Sequence, residues 1–394
     1  MSGRTGTAGA AGAGPGPYRW VVVGNGENRR VGLFLAAAEA AGAGTPRVVE
    51  WRDVLRDGGH EFAADEIVRL DSPGENAEVD RLLRGVDDPT RVEGSATWYA
   101  RFLAAVGSLR GGVRLDDPAD LAVLFDKRLC HARLDAAGVQ VPPSPTSGDA
   151  LPVRGWDDVR AAMREHGMPR VFVKPAHGSS ASGVLAVESA INGRIRATTS
   201  VEVAADGRSH IPPRLHNSLR VRRYTDEREI AGIVDALAVD GLHIERWLPK
   251  ASAHGRSADL RVVVVAGRAT HAVVRTSRFP MTNLHLGGAR GDLASVVDAA
   301  GDRWRQALDI CERAAACFPD TLCVGVDLLP AIGWRRFAVG EVNAFGDLLP
   351  RLTGLPGGPA EGLDTYAAQL AAVRSATLPA PSHHPQARKD HAPL

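Results

Sequence analysis

Runs of apolar residues predict the first strands and helices of the chain. RWVVVG, from Arg19, predicts a buried strand, and VGLFLAAAEAAGAG has helical periodicity and ends in glycines. RVVEWRDVL then predicts a second strand and a short helix. This order of strand, loop, helix and strand predicts a parallel α/β domain over residues 18–116, with loops at the carboxyl ends of the strands open to a ligand.

The pattern changes after residue 116 to helices mixed with hairpins. A single helix is predicted over 117–138, followed by the strand VFVK, the Gly/Ser-rich loop PAHGSSASG and the strand VLAVES. DLRVVVVAGRATHAVVRTSR predicts a hairpin that turns at AGR, and DLASVVDAAGDRWRQALDICERAAACFP a single amphipathic helix. We expect these further segments: a central subdomain over 117–248 with a β excursion over 191–224, a C-terminal subdomain over 249–378, a flexible lead over 1–17 and a disordered tail over 379–394.

A hairpin near the C-terminus, CVGVDLLPAIGWRRFAVGEVNAF, carries paired acids. We expect Leu329 to pair with Val339. That register places Asp327 opposite Glu341, with Asn343 on the same face. Opposed carboxylates repel each other unless a cation lies between them, and oxygen ligands of this kind suit Mg²⁺ shared with nucleotide phosphates. An edge hairpin with a solvated face is the alternative.

Composition excludes several classes of protein. The 394 residues are 44% hydrophobic and 24% charged, with a formal net charge of +1, which offers no field for gathering nucleic acid or anionic lipid. No apolar run is long enough to span a bilayer. The four cysteines, at 130, 311, 317 and 323, show no CxxC spacing, which predicts a reducing compartment. We therefore expect a cytoplasmic protein without nucleic-acid or membrane partners.

Lysine is scarce, and its positions are informative. Of 47 basic residues only four are lysines: Lys127, Lys174, Lys250 and Lys389. A chain that favours arginine so strongly has kept lysine where a compact ammonium group is needed. Lys389 lies in the tail, but the other three lie beside motif-like sequence. Lys174 ends a strand just before the Gly/Ser-rich loop, whose backbone N–H groups can fold over phosphates. Chance retention of lysine is the alternative.

The loop GNGENRR after the first strand departs from the dinucleotide-binding pattern. Glu27 and Asn28 fill its interior, and Arg29 stands where the third glycine belongs. We therefore predict no nicotinamide site. Asn25, Glu27, Asn28 and Arg29 either contact a substrate or form an ordinary helix cap.

Six motifs in a fixed order resemble the ATP-grasp superfamily, over about residues 117–375. They are DKRLCHARLDAAGVQVPPS, VFVKPAHGSSASGV, HIERWLP, DLRVVVVAGRATHAVVR, NLHLGG and VGVDLL…VGEVNAF. Within that superfamily they look most similar to the branch of ribosomal-protein glutamate ligases and glutathione synthetases. The resemblance implies an ATP-grasp fold of mixed α/β and α+β class, in which a parallel α/β domain precedes two α+β subdomains that grip ATP.

The resemblance also implies roles for matched residues. Those that would hold ATP are Lys127 and Lys174 at the phosphates, the mobile flap residues Gly178, Ser179, Ser180 and Gly183, and the adenine-side hinge residues Glu245, Arg246, Trp247 and Leu248. Those that would bind two Mg²⁺ ions, or Mn²⁺, are Asp327, Glu341 and Asn343. Those near the γ-phosphate and the acyl group, with a catalytic role, are Arg261, Arg275 and Asn283. Lys250 receives no firm role by this route, and contact with the ribose or with the substrate is left open.

The activity implied is that of an ATP- and Mg²⁺-dependent carboxylate–amine ligase. Such an enzyme forms an amide or peptide bond through an acyl phosphate and releases ADP and phosphate. Its substrates would be small-molecule or peptide carboxylates and amines, and a homodimer is left open. A kinase built on the same site and a nucleotide-binding regulator without turnover are the alternatives.

Two features depart from the family pattern. EVNAFGD lacks the proline that usually follows the metal-binding asparagine, in a loop that often contacts substrate. The excursion over 191–224 is longer than in compact relatives. Its basic residues, with a neighbouring tyrosine, either dock an acidic or peptide-like substrate or form a solvated ribbon: Arg214, Arg220, Arg222, Arg223 and Tyr224.

Overall fold

The computed structural model describes residues 18–86, 91–148, 152–204, 214–346 and 348–376. The predicted lead over 1–17 and tail over 379–394 lie outside these residues, as does part of the excursion, 205–213. Across the described ranges the chain forms three β-sheets with helices packed against them. No helix in these ranges is long and apolar enough to cross a membrane. The predicted domain boundaries stay predictions.

The first sheet is parallel, with strand order β2-β1-β3-β4. Its strands are β1 (Arg19–Gly24), β2 (Arg47–Glu50), β3 (His60–Leu70) and β4 (Leu109–Arg114). Its helices are α1 (Arg29–Ala40), α2 (Trp51–Asp57), α3 (Ala77–Arg84) and α4 (Ser95–Ser108). Val21, Val22 and Val23 are fully buried, as expected of an inner parallel strand. The predicted strand–helix–strand order is therefore present.

The second sheet is antiparallel and has strand order β8-β7-β6-β5-β9. Its strands are β5 (Arg170–Pro175), β6 (Leu185–Ser189), β7 (Ile195–Val203), β8 (Leu215–Tyr224) and β9 (Leu242–Arg246). The helices of this part of the chain are α5 (Pro118–Leu124), α6 (Lys127–Ala136), α7 (Trp156–Glu165) and α8 (Glu227–Ala238). The predicted excursion supplies β7 and β8, so its described residues extend this sheet to its edge.

The third sheet is antiparallel and carries the paired acids. Its strand order is β13-β12-β11-β14-β15, and β10 pairs with β11 at the side. The strands are β10 (Ser252–Ala253), β11 (Arg256–Val265), β12 (Arg268–Ser277), β13 (Ala289–Arg290), β14 (Cys323–Pro330) and β15 (Phe337–Asn343). Helices α9 (Leu293–Ala300) and α10 (Arg303–Ala316) precede β14, and α11 (Thr365–Ser375) ends the described chain. The predicted turn at AGR joins β11 to β12.

Two helices predicted as continuous are broken, so those predictions are wrong. The helix predicted over 117–138 divides after α5, because the Asp126 side chain accepts a hydrogen bond from the Arg128 N–H and starts α6 as its N-cap. The second predicted helix divides after α9, where Gly301 has φ +52°. Local capping and a left-handed glycine thus override helical periodicity.

The hairpin of β14 and β15 confirms one part of the predicted register and corrects another. Asp327 does lie opposite Glu341, but Val339 pairs with Leu328 and not with Leu329. A bulge between Asp327 and Leu328 makes up the difference, and it leaves Gly340 as the extra residue. The acids therefore meet across the ladder because of this bulge.

Candidate active site

A cleft between the second and third sheets, with a volume of about 200 Å³, collects most of the residues that the sequence singled out. The predicted site residues that line it are Lys127, Lys174, Gly178, Ser179, Ser180, Glu245, Arg246, Leu248, Arg261, Arg275, Asn283, Asp327, Glu341 and Asn343. They come from both sheets, from the start of α6 and from the loop between β5 and β6, which we call the flap (residues 176–184). The cleft also receives Lys250, so all three candidate lysines converge there.

Two predicted ATP residues lie beside the cleft and not on its lining. Gly183 lies next to the last residue of the flap with φ +72°, and a Cβ at this position would lie 2.6 Å from the Pro175 side chain. Trp247 packs its ring against Phe172, with the centroids 5.3 Å apart. Both residues therefore shape the wall behind the lining, and contact with a nucleotide stays a prediction for each.

Lys127 joins the flap to the floor of the cleft. As the first residue of α6 it projects its Nζ to within 3.1 Å of the Glu341 carboxylate and 2.7 Å of the Gly178 carbonyl oxygen, to which it donates. This ammonium group thus bridges a backbone acceptor of the flap and one of the paired acids. Phosphate oxygens entering the cleft would compete for the same ammonium group.

Lys174 forms a sealed ion pair with Glu245 of the neighbouring strand β9. Burial acts to raise the pKa of Glu245, but Lys174 and His243 outweigh it and hold that pKa at about 2. The Nε2 atom of His243 lies 3.7 Å from the same carboxylate. Because the Glu245 side chain is turned toward Lys174, the predicted adenine contacts of the hinge fall chiefly to backbone groups.

Asp327 is held by two arginines, Arg261 from the adjacent strand β11 and Arg275 from β12, the strand beyond it. Arg261 donates to it through both Nε and Nη2, and Nη2 of Arg275 lies 3.1 Å from its Oδ1. Burial acts to raise the pKa of Asp327, but the two guanidinium groups outweigh it and hold the pKa at about 2. Asp327 is therefore ionised, and both predicted catalytic arginines lie at the predicted metal position.

Asp259 is a second buried carboxylate behind this group, and the prediction of site residues missed it. It accepts from Arg275 Nε at 2.8 Å, and Lys250 Nζ lies 3.5 Å from its Oδ2. The hydroxyl of Thr282 also donates to it. Burial lowers the pKa of Lys250, and Asp259 only partly opposes that effect. One feature of the sequence could have identified Asp259. It lies two residues before Arg261, on a strand that pairs with the strand of Arg275.

The oxygen ligands at the hairpin fit a hard divalent cation whose coordination sphere is completed by phosphate oxygens. Asp327 and Glu341 face each other, and Asn343 donates through Nδ2 to the Gly325 carbonyl at 3.3 Å, which leaves the Oδ1 atom as the oxygen suited to a metal. The described ranges contain no cluster of three or more His, Cys, Asp and Glu side chains placed to hold a metal by themselves. Two carboxylates and an amide suit Mg²⁺, which retains water and substrate ligands.

Residues of the GNGENRR loop act in local structure. Asn28 caps α1 by accepting from the Arg30 N–H, and Asn25 donates to the Pro73 carbonyl at 2.9 Å. Glu27 accepts from Asn76. None of these described side chains lines the cleft. The helix-cap alternative therefore accounts for Asn28, and substrate contact by this loop stays a prediction.

The two family departures lie in different places. Phe345, in the segment that lacks the expected proline, lines the cleft and packs against Phe125, with the ring centroids 5.6 Å apart. In the excursion, Arg222 pairs with Glu202 across the β7–β8 ladder. The hydroxyl of Tyr224 donates to the Val201 carbonyl at 3.0 Å. The first departure thus belongs to the cleft, whereas these two excursion side chains are engaged within their own sheet.

Comparison with solved structures shows which fold this is. D-cycloserine synthetase DcsG has 17% sequence identity and a TM-score of 0.53, over 90% of this chain and 99% of that chain. The ATP-grasp ligase PsnB complexed with minimal precursor has 18% identity and a TM-score of 0.49, over 91% and 99%. N5-carboxyaminoimidazole synthase from Aspergillus clavatus has 12% identity and a TM-score of 0.48, over 93% and 79%.

No protein-family model and no curated protein matches the sequence. The structural likeness confirms the predicted mixed α/β class and the ATP-grasp fold. At these identities it shows the fold alone. The predicted branch, that of the ribosomal-protein glutamate ligases and glutathione synthetases, stays a prediction.

Proposed function

We propose that this protein is an ATP-dependent carboxylate–amine ligase. The observation that carries the proposal is the juxtaposition of Asp327 and Glu341 at the floor of a cleft that also receives three lysines and three arginines. Opposed acids among so many cations suit a site where metal ions and phosphates exchange partners with the protein. The ATP-grasp fold agrees with this use of the cleft.

The residues of the cleft divide the work of binding the nucleotide. Lys127 and Lys174 supply point charges for the phosphates, and the backbone of the flap covers them. Asp327, Glu341 and Asn343 would hold magnesium, which when bound neutralises phosphate charge and aligns the γ-phosphoryl group. Residues 245–248 meet the adenine, chiefly through backbone groups.

The proposed reaction has two steps. An oxygen of the substrate carboxylate attacks the γ-phosphorus of ATP, and the bond from that phosphorus to the bridging oxygen breaks. ADP is released, and the substrate is now an acyl phosphate. The nitrogen of an amine then attacks the acyl carbon, loses a proton and expels phosphate, which gives the amide. Arg261, Arg275 and Asn283 stabilise the charge on the transferring group, and positioning is the main task of the protein in such a transfer.

No thiol is required as a nucleophile, and the cysteines agree with this. Burial raises the pKa of Cys130 to about 12 and that of Cys323 to about 12. Cys311 is also fully buried. Thiols of this kind are not ionised at neutral pH and are poor nucleophiles. The direct carboxylate-to-phosphoryl route therefore fits the side chains near the cleft.

Trapping of the acyl phosphate tests the proposed function. Purified protein is incubated with ATP, Mg²⁺, hydroxylamine and a panel of amino acids and peptides, with hydroxamates and ADP measured together. We expect hydroxamate formation with a subset of acids, in proportion to ADP. A stable phosphorylated product without hydroxamate would identify a kinase instead. Absence of ADP release across a broad panel would contradict enzymatic turnover.

A further inference from the structure

Arg275 is shared by two carboxylates through different nitrogens. Its Nε donates to Oδ1 of Asp259 at 2.8 Å, and its Nη2 lies 3.1 Å from Oδ1 of Asp327. Asp259 stands directly opposite Arg275 in the ladder of β11 and β12, whereas Asp327 lies on β14, the strand on the far side of β11. One guanidinium group is thus held at two edges by two strands.

Asp259 is the more deeply enclosed of these two carboxylates. The residue is 4% exposed and also contacts Lys250 Nζ and the hydroxyl of Thr282. These partners come from three separate segments, namely β12, the linker after β9 and the segment that follows β12. Because a buried carboxylate is costly without its partners, Asp259 is committed to this arrangement.

Asp327 is placed to exchange its partners. It faces Glu341 across the bulged ladder and belongs to the donor set that fits a divalent cation. A cation bound there would compete with the guanidinium groups for the Asp327 oxygens. Arg261 contacts this carboxylate through both Nε and Nη2, so it must reorient as a whole. Arg275 needs only to give up the Nη2 contact, since its Nε stays on Asp259.

We propose that Asp259 is a positioning residue, which keeps Arg275 fixed at the reacting phosphoryl group after a metal ion takes Asp327. The proposal rests on the proposed function. A donor already held in place stabilises developing charge without the cost of reorganisation. The released Nη groups face a cleft that Arg275, Lys250 and Asp259 all line.

The local charge balance supports this role and gives Lys250 a function. One carboxylate, Asp259, serves two cations, Lys250 and Arg275, so the group carries a single positive charge once Asp327 is engaged elsewhere. Without Lys250, the negative charge of Asp259 would neutralise Arg275 alone, and Arg275 would then attract an anion less strongly. The third cleft lysine thus completes a cationic subsite for the γ-phosphoryl group and the acyl phosphate formed from it.

A binding measurement tests the proposal independently of turnover. MgADP is titrated into the full chain by calorimetry, with and without tetrafluoroaluminate, which occupies the position of the transferring phosphoryl group. We expect the wild type to bind MgADP more tightly when tetrafluoroaluminate is present. In Asp259→Asn the increase in affinity caused by tetrafluoroaluminate should be about tenfold smaller than in the wild type, whereas the affinity for MgADP alone changes by less than about twofold. Asp259→Glu should recover part of the gain.

The two arginines provide a matched pair for a double-mutant cycle. Asp259→Asn combined with Arg275→Gln should lose no more of the gain than Arg275→Gln alone, because both changes remove the same donor. In Asp259→Asn combined with Arg261→Gln, the affinity gain should be reduced by the product of the factors found for the two single variants. Thermal unfolding of each variant shows whether it is folded. Thr282→Val, which removes one donor to Asp259, is a milder second variant and should reduce the affinity gain by about threefold.

The outcomes separate the positioning role from the proposed function. A wild type that binds MgADP without any gain from tetrafluoroaluminate contradicts phosphoryl transfer in this cleft. A wild type that gains, with Asp259→Asn or Thr282→Val gaining equally, contradicts the positioning role alone. Independent effects of Asp259→Asn and Arg275→Gln also contradict it. Loss of affinity for MgADP itself in Asp259→Asn would assign Asp259 to the nucleotide, for example its ribose hydroxyls, and overturn the proposal.

Discussion

The cleft contains two kinds of ion pair, and they differ in how far water reaches them. On the hairpin floor the side chains of Glu341 and Asp327 are 28% and 14% exposed, whereas those of Glu245 and Asp259 at the back are 4% and 5% exposed. Each of the four carboxylates contacts at least one lysine or arginine. Ion pairs of the same kind thus occur in a more exposed and in a more deeply buried part of the cleft.

The difference teaches which pairs can change partners. A more exposed carboxylate retains more of its solvation when a metal ion replaces an ammonium or guanidinium group, so Asp327 and Glu341 exchange cations more readily than Glu245 and Asp259 do. A sealed carboxylate that loses its partner remains as an uncompensated buried charge, which costs several kcal/mol. Glu245 and Asp259 therefore hold Lys174 and Arg275 in place. The floor serves the metal and phosphates, and the back of the cleft keeps the cations in position.

The largest expected effect comes from removing a carboxylate of the floor. Glu341→Gln should lower ligase turnover by at least about a thousandfold, because the metal would lose a ligand that opposes Asp327. Magnesium-dependent tightening of ADP binding should be lost, whereas metal-free ADP binding is retained. Glu188→Gln, at a surface pair with Arg196, is the control and should leave both unchanged. Unaltered magnesium dependence in Glu341→Gln would refute the metal assignment.

The next effect is on stability and contrasts two lysines directly. Lys174→Met should lower the free energy of unfolding by about 3 kcal/mol, because it leaves Glu245 buried without its main partner. Lys127→Met should cost about 1 kcal/mol or less, since Glu341 is hydrated. Urea unfolding of both variants measures the difference. The double variant Lys174→Met with Glu245→Gln should recover most of the loss, and equal costs for the two lysines would abolish the distinction between the pairs.

Acid should weaken the sealed pair in a defined pH window. Because the folded-state pKa of Glu245 is about 2, below its ordinary value of 4.5, its contribution to stability is complete above 4.5 and is lost as the pH falls toward 2. The shift corresponds to about 3 kcal/mol at neutral pH. Unfolding measured between pH 5 and pH 2 should depend less on pH in the double variant than in the wild type. Glu202→Gln, which alters an exposed pair with Arg222, is the matched control and should change the profile much less, because solvent screens that pair.

Much of the floor could be predicted from the sequence, but the sealed pairs could not. The period of two along a strand places Asn343 on the face of Glu341, and the motif order predicts the ATP-grasp fold. The role of Asp259 depends on a bulge between Val263 and Val264, and on Lys250 and Thr282 from distant segments. Such contacts depend on long-range pairing, which local periodicity does not encode. The helix breaks at 126 and 301 were missed because capping and a single left-handed glycine outweigh a long apolar pattern.

The smallest expected effects come from two glycines of the same hairpin, and they show whether the bulge places the acids. Gly340 is the bulge residue, and an added Cβ would lie 3.0 Å from the Leu329 side chain, which itself lines the cleft. Gly333 lies in the turn with φ +79°, and nothing lies within 4 Å of an added Cβ. Each change to alanine should cost about 1 kcal/mol of stability, the first through contact and the second through backbone strain.

Only the bulge variant should also alter the chemistry of the cleft. Gly340→Ala should lower magnesium-dependent turnover by about tenfold, because a small shift in the ladder misplaces Glu341 relative to Asp327. Gly333→Ala should leave turnover unchanged at a temperature where both variants are folded, since its strain stays in the turn. Turnover and unfolding measured side by side compare the two. If both variants lose turnover in proportion to stability, the bulge is no more than a feature of packing, and the pairing of the acids must be maintained by the arginines that hold Asp327.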